Sequence, residues 1–460
     1  MKILLYTILF IFLCACNNKK DEKILFLIKE KDKYGYIDIT GTIVIQPIYE
    51  KASDFRDGVA IVKYGDKWGV LGSNGKWIIN PEYDELDLRT NGTFAIKLGR
   101  SWGIADTKGK VVVTPQFDMI DQFTEEGLIK VRLGDKYGYI NEKGKYIVNL
   151  NFYDADAFSE GLASVMPVNG YNTTCGYIDK KGNTIVQPQF QEAYHFIQGL
   201  ALVKMSGKYG FIDKKGSFVI NPQFDAAFFF LGDIAPVVFN WKIGFINKKG
   251  EYVIQPVYDD YDIGLNGLIN KQNKSSLRKI LNSVKFIKVK KDGKWGIVDL
   301  TGKEIVPVIY DYISSVENGQ FVFRKDKKFG IMDVQNKEIV PNTYADINNF
   351  NEGLSVVAQE LEKEVVETYN TWDGSVTHTV KRTMKFYGFI DQSNKTVIEY
   401  QYIFAYDFNN GLARVALEKK DLSYDYDGYI NGIKNWAYID KAGKQIWPKS
   451  IDQKKELSNK

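Results

Sequence analysis

Apolar and polar positions along the chain fall into short alternating runs, each closed by turn residues, and the runs recur in sets of three. The first run of a set is apolar, as in Val59-Ala60-Ile61-Val62-Lys63, and ends at a turn such as Tyr64-Gly65-Asp66-Lys67. Equivalent turns are Gly134-Asp135, Ser206-Gly207 and Asp292-Gly293. The second run carries an aromatic residue followed by glycine, and the third is β-branched, as in Thr42-Ile43-Val44-Ile45. Short runs of this kind, joined by tight glycine turns, predict antiparallel strands and hairpins.

The aromatic–glycine pair fixes the period. It stands at Tyr34-Gly35, Trp68-Gly69, Trp102-Gly103, Tyr137-Gly138, Tyr209-Gly210, Trp295-Gly296, Phe329-Gly330 and Tyr387-Gly388. Cys175-Gly176, Ile243-Gly244 and Trp436-Ala437 are variants, giving eleven units in all. The steps are 34, 34, 35, 38, 34, 34, 52, 34, 58 and 49 residues. A period in this range marks a solenoid, a propeller or another array.

Turn chemistry supports the same scheme. Three residues after the glycine stands Asp or Asn in ten of the units, from Asp38 to Asp440, and three residues later a glycine. Asn336 and Asn394 replace that glycine in two units. Asp opening a type I turn accepts local backbone hydrogen bonds, and the fourth position asks for positive φ, which Asn tolerates next best. One carboxylate per unit at a turn does not read as a calcium site. A proline such as Pro47, Pro81 or Pro115 is expected to end the third strand, because it lacks the N–H a ladder needs. Two residues on comes an aromatic, then a bridge such as Ala52-Ser53-Asp54-Phe55-Arg56-Asp57-Gly58.

The residues carrying this pattern resemble the WG-repeat family, across about 24–448. The resemblance implies a bacterial β-repeat protein and no particular reaction. The expected fold is therefore all-β: a tandem array of eleven three-stranded antiparallel units, open, curved and solenoid-like. The alternative is a propeller-like ring of the first seven units with a four-unit body beside it. Units one to seven occupy 24–258 and units eight to eleven 286–448, and residues 449–460 form a polar tail.

Three units carry insertions. The first, 259–285, reads as a hinge, with a short helix-compatible run near 275–283. The second, 358–386, holds Asp373-Gly374 between β-rich runs and predicts a long hairpin with an acidic and a basic arm. The third, 416–435, also reads as a hairpin. Tyr369 and Trp372 on one, with Tyr424, Tyr426 and Tyr429 on the other, form the candidate binding surface, since rigid aromatics beside Asp, Gly and Asn suit contact-making loops.

The N-terminus changes the address. Lys2 precedes a short apolar run that ends Leu13-Cys14-Ala15-Cys16, too short to span a bilayer. It resembles a bacterial lipoprotein signal, which implies lipidation at Cys16, an anchor in the outer membrane and a tether over 17–23. The Lys20-Asp21-Glu22 run resembles a surface-export signal.

Composition bounds the rest. With 61 basic against 57 acidic residues spread along the chain, net charge +4, there is no concentrated basic face for nucleic acid. The only histidines are His195 and His378, and no nucleophile elbow, zinc spacing or phosphate loop occurs. Cys175 reads as a packing residue. We expect no enzyme and no cofactor or metal, but a cell-envelope scaffold that binds a protein or glycan. The alternative is a glycan-active or glycan-binding protein using exposed aromatics and acidic residues.

Overall fold

The computed structural model describes residues 24–448 except Thr90, 122–123, 125, 169–173, 264–284, 372–373, 418–421, 425–429 and 434–435. Every described element is a strand, and the strands form small antiparallel sheets. The lipidation position Cys16, the tether, the helix-compatible run near 275–283 and the tail lie outside the described residues.

The first unit is made of β1 (Phe26–Glu30), β2 (Lys33–Ile37) and β3 (Ile43–Tyr49), paired in that order. The bridge then supplies β4 (Lys51–Ala52), which pairs with β5 (Val59–Tyr64), followed by β6 (Lys67–Gly72) and β7 (Trp77–Tyr83). Most sheets after the first are thus four-stranded, not three-stranded as expected. Two residues of the preceding unit's bridge form the extra strand, a length too short to leave a period in the sequence.

The proline does not end the third strand. Tyr34 pairs with Tyr49 and Tyr36 with Ile45, so the third strand bulges between them and Pro47 sits where no ladder bond is needed. That bulge lies against the repeat glycine. A Cβ on Gly35 would stand 2.6 Å from the Ile45 carbonyl oxygen and from the Pro47 nitrogen. Ala437 is tolerated because the last unit's third strand, Gln445–Trp447, ends before the residues that cross the glycine elsewhere. Where Leu150 replaces proline, the strand runs unbroken over Tyr146–Ala155 and joins two units into a seven-stranded sheet.

The core is divided among the junctions. Among the described residues each junction holds one buried cluster of the same composition. Unit two gives Val70, Ile79 and Tyr83 and unit three gives Phe94, Ile96 and Ala105. Ile104, Val113 and Phe117 meet Ile129, Val131 and Ile140 at the next junction. A fully buried aliphatic or aromatic side chain contributes about 1.5–3 kcal/mol, so these junctions carry the stability of the array.

Unit seven packs on unit eight in this way, through Phe245 and Ile254 against Ile287, Val289 and Val298. A separate ring of the first seven units is therefore excluded. The last unit packs on the first by the same contact: Tyr438 and Trp447 meet Phe26, Ile28 and Ile37, the positions that Val70 and Ile79 and then Phe94, Ile96 and Ala105 hold at a regular junction. The units do form a solenoid-like array of small sheets with no closed barrel. Its ends meet, however, so the expectation of an open array does not hold. The same apolar positions that join neighbours are present on the first and last units and bury each other.

Candidate functional site

In several units the second strand places the repeat aromatic directly opposite a basic residue of the first strand: Lys63 opposite Trp68, Lys290 opposite Trp295, Arg324 opposite Phe329. The cation lies over the ring, 5.2 Å from its centre for Lys97 on Trp102, 5.1 Å for Lys204 on Tyr209 and 5.0 Å for Arg414 on Trp436. Tyr34, Trp68, Trp102, Tyr137, Tyr209, Trp295 and Trp436 are half-buried and Tyr387 is buried. The aliphatic stem and ammonium of a lysine close one face of Tyr34, Trp102, Tyr137 and Tyr209.

A second ladder joins the units and was not read from the sequence. Lys33 donates to Glu50, Lys67 to Asp84, Lys208 to Asp225, Lys242 to Asp259 and Lys294 to Asp311, at 2.5–2.6 Å and always 17 residues apart. The acid's other oxygen accepts the N–H of the following unit's hairpin turn, as from Gly65 to Glu50 and Gly99 to Asp84. The lysine hydrogen bond holds all five carboxyls below their usual range. The signal was present: a lysine two residues before the repeat glycine and an acid just after the third-strand aromatic.

The turn carboxylates are occupied as expected. Asp38 Oδ1 accepts from the Thr40 and Thr42 backbone N–H groups, and Asp213, Asp333 and Asp440 do the same in their units. Among the described residues no group of three or more His, Cys, Asp or Glu could hold a metal ion. His195 stacks on Phe229, with its Nδ1 3.2 Å from Asp156 Oδ2, in a bridge between units. Cys175 is half-buried and unpaired, and burial pushes its thiol pKa up.

The hairpin insertions are present. Leu354–Thr371 pairs with Gly374–Asp391 over its full length, with Glu360 opposite Lys385 and Glu364 opposite Lys381. Residues 360–371 carry this hairpin about 40 Å beyond the sheet at roughly 3.4 Å per residue. Tyr369 lies on its first strand, opposite Val376. Leu422–Tyr424 pairs with Ile430–Ile433 in the third insertion. Trp372, Tyr426 and Tyr429 lie outside the described residues, so the structure does not gather the candidate surface into one site.

A cleft of about 470 Å³ lies at the seam between the first and last units. Its walls include Phe26, Asp54, Asp407, Arg414, Trp436 and Tyr438. Arg414 pairs with Asp54 and donates from Nε to the Tyr438 hydroxyl at 2.8 Å.

Ten segments match the WG containing repeat family: 34–68, 68–100, 102–137, 137–171, 176–209, 209–240, 243–263, 295–329, 329–360 and 387–420. The chain belongs to the WG containing repeat family. Among curated proteins, none matches its sequence. Among solved structures, a eukaryotic initiation factor is similar at 12% identity and a TM-score of 0.41, over 70% of this chain and 96% of that one. PorZ, a bacterial surface component of the type-IX secretion system of Porphyromonas gingivalis, is similar at 8% identity and a TM-score of 0.22, over 91% of this chain and 65% of that one. Residues 421–448 fall outside the matched segments, yet Ala437–Asp440 and Gln445–Trp447 complete an eleventh unit.

Proposed function

We propose that this WG-repeat protein is a non-catalytic lipoprotein of the cell envelope, anchored in the outer membrane through lipid on Cys16, whose array holds a binding hairpin away from the membrane. What carries the reading is the division of labour in the molecule. The repeat aromatics, lysines and acids are spent on joining units, while the 354–391 hairpin extends far past its sheet. A rigid array with one long arm suits recognition of a protein partner by strand pairing or side-chain contact. Nucleic acid is not among the partners we propose, because charge is mixed rather than concentrated.

Two measurements test this. Cys16→Ala should move the protein from the membrane fraction to the soluble one and abolish palmitate labelling; retention and labelling would end the lipoprotein reading. A photo-crosslinker placed at Tyr369 should capture an envelope component that one placed on a repeat turn such as Lys215 does not.

A second reading has one observation behind it. Trp241 stands 91% exposed at the tip of a hairpin turn, a ring available for stacking on a sugar. Binding on a glycan array that Trp241→Ala removes would favour it over the protein partner.

A further inference from the structure

Strand direction divides the array into two edges. In the first unit Phe26 pairs with Ile37, and the next residue, Asp38, opens the turn into β3. Glu30 pairs with Lys33 at the other end of the same two strands, where the hairpin closes. Turns into the third strands lie together on one edge, because the turn glycine rests on the third strand of the unit before: Gly144 on Val113, Gly182 on Val148, Gly250 on Ile220. The chain enters β1 on this turn edge, at Ile24. The long hairpin leaves from the opposite edge. Its base pairs Leu354 with Asp391, the turn acid of that unit, and its strands run from there past the hairpin edge to Thr371 and Gly374. Trp241 also stands on the hairpin edge.

The two edges treat lysine differently. On the hairpin edge Lys67, Lys208 and Lys242 are each held by a clamp acid. On the turn edge Lys108, Lys143, Lys181, Lys215 and Lys249 occupy the same turn position in five successive units and are exposed. Their backbone N–H groups donate to the turn Asp or Asn at 2.8–3.0 Å, which fixes each lysine at the apex. The acids of the neighbouring bridges go to the lysine one place earlier: Glu126 to Lys180, Glu160 to Lys214 and Asp233 to Lys248. The five apex lysines make no ion pair among the described residues. These five turns hold ten lysines against five acids, so the positive excess sits at their outermost row.

We propose that the turn edge lies against an anionic lipid surface, with the apex lysines on its phosphate headgroups. The proposal rests on the lipid anchor at Cys16. Residues 17–23 can span at most about 25 Å fully extended, so an anchored chain delivers the array to the membrane by the edge that carries Ile24. A row of unpaired lysines on that edge gains from a negative surface potential, and the gain fades with salt. Anchor and lysines together hold the array upright, with the long hairpin and Trp241 on the side away from the lipid.

Two labels in one unit test the orientation. In the full chain with Cys175→Ser, a fluorophore is placed at Ser217→Cys on the turn edge or at Ser206→Cys on the hairpin edge. The protein is bound to vesicles of phosphatidylcholine and phosphatidylglycerol that carry a headgroup nitroxide quencher. Residue 217 should be quenched and residue 206 should not. Lys108→Gln, Lys143→Gln, Lys181→Gln, Lys215→Gln and Lys249→Gln together, or raised salt, should weaken the quenching at 217 severalfold. Removing the same charge from the hairpin edge, by Lys31→Gln, Arg100→Gln, Lys291→Gln, Lys325→Gln and Lys327→Gln, should leave it unchanged. Protein that floats with the vesicles but is quenched equally at both positions, or ignores the apex substitutions, would overturn the proposal and leave the anchor standing. Protein that does not float with the vesicles would overturn both.

Discussion

The indole N–H of Trp436 donates to the backbone carbonyl of Leu27 at 3.2 Å, across 409 residues of sequence. At a regular junction that carbonyl, as at Ile61, is taken by a bridge N–H. The repeat aromatic of the last unit therefore satisfies a group that the first unit would otherwise leave unpaired, while Arg414 stacks on its ring and Phe26 packs edge-on against Tyr438. Trp436→Phe should cost about 1 kcal/mol from the lost hydrogen bond, and Trp436→Ala about 3–5 kcal/mol from lost packing. Chemical denaturation would measure both. Loss of protection should appear first in Phe26–Glu30; a uniform loss along the chain would contradict a seam role.

The repeat glycine is set by contact, so its replacement should hurt wherever the bulge crosses it. A Cβ on Gly103 would lie 2.4 Å from the Val113 carbonyl oxygen. Gly103→Ala should destabilise by about 1–3 kcal/mol or more through overpacking, whereas Ala437→Gly should change stability by less than about 1 kcal/mol. Equal effects in thermal unfolding would refute the contact argument.

Asn336 occupies the turn position at φ 63°, where nine other units use glycine. Asn336→Gly should be close to neutral, and Asn336→Ala should cost about 1–2 kcal/mol for holding the left-handed conformation. The same melting comparison decides it.

Acid should loosen the junctions. Lys67 and its counterparts hold Asp84, Asp225 and Asp259 below the usual carboxylate range. A carboxyl with a folded pKa below its unfolded value of about 4 adds stability that is complete above that pH and is lost as pH falls through the folded value. The melting temperature should fall between about pH 5 and pH 2 for this reason. The triple variant Asp84→Asn, Asp225→Asn, Asp259→Asn should melt lower at pH 7 and show a shallower acid slope; an unchanged slope would remove the clamps from the account. Added salt should reduce the difference, because these pairs are half-exposed.

Much of this was legible in the sequence because it rests on local chemistry. The Asp38–Gly41 turn and the Tyr64–Lys67 hairpin each follow from which residue tolerates which backbone angle. The fourth strand was not legible, since Lys51–Ala52 is too short to alternate. Pro47 misled because its missing N–H falls inside a bulge that only the register of Tyr34 and Tyr36 reveals. Ring closure was hidden for another reason: Phe26, Ile28 and Trp447 look like ordinary unit residues, and nothing local says that the first and last units meet. The Lys67–Asp84 clamp was visible as a spacing of 17 residues but acquires meaning only when the next unit's turn is seen to arrive at the acid.

Meeting of the two ends is the central claim, and one distance tests it. Ile39 lies 3.4 Å from the position of a Cβ on Gly411. Spin labels at Thr40→Cys and Asn409→Cys, in a chain otherwise free of cysteine, should give a single narrow distance in the short range of pulsed dipolar spectroscopy. That distance should hold in dilute solution and spread only when the protein unfolds. A long or broad distribution for the folded protein would mean that the array is open and that the first and last units do not share a core.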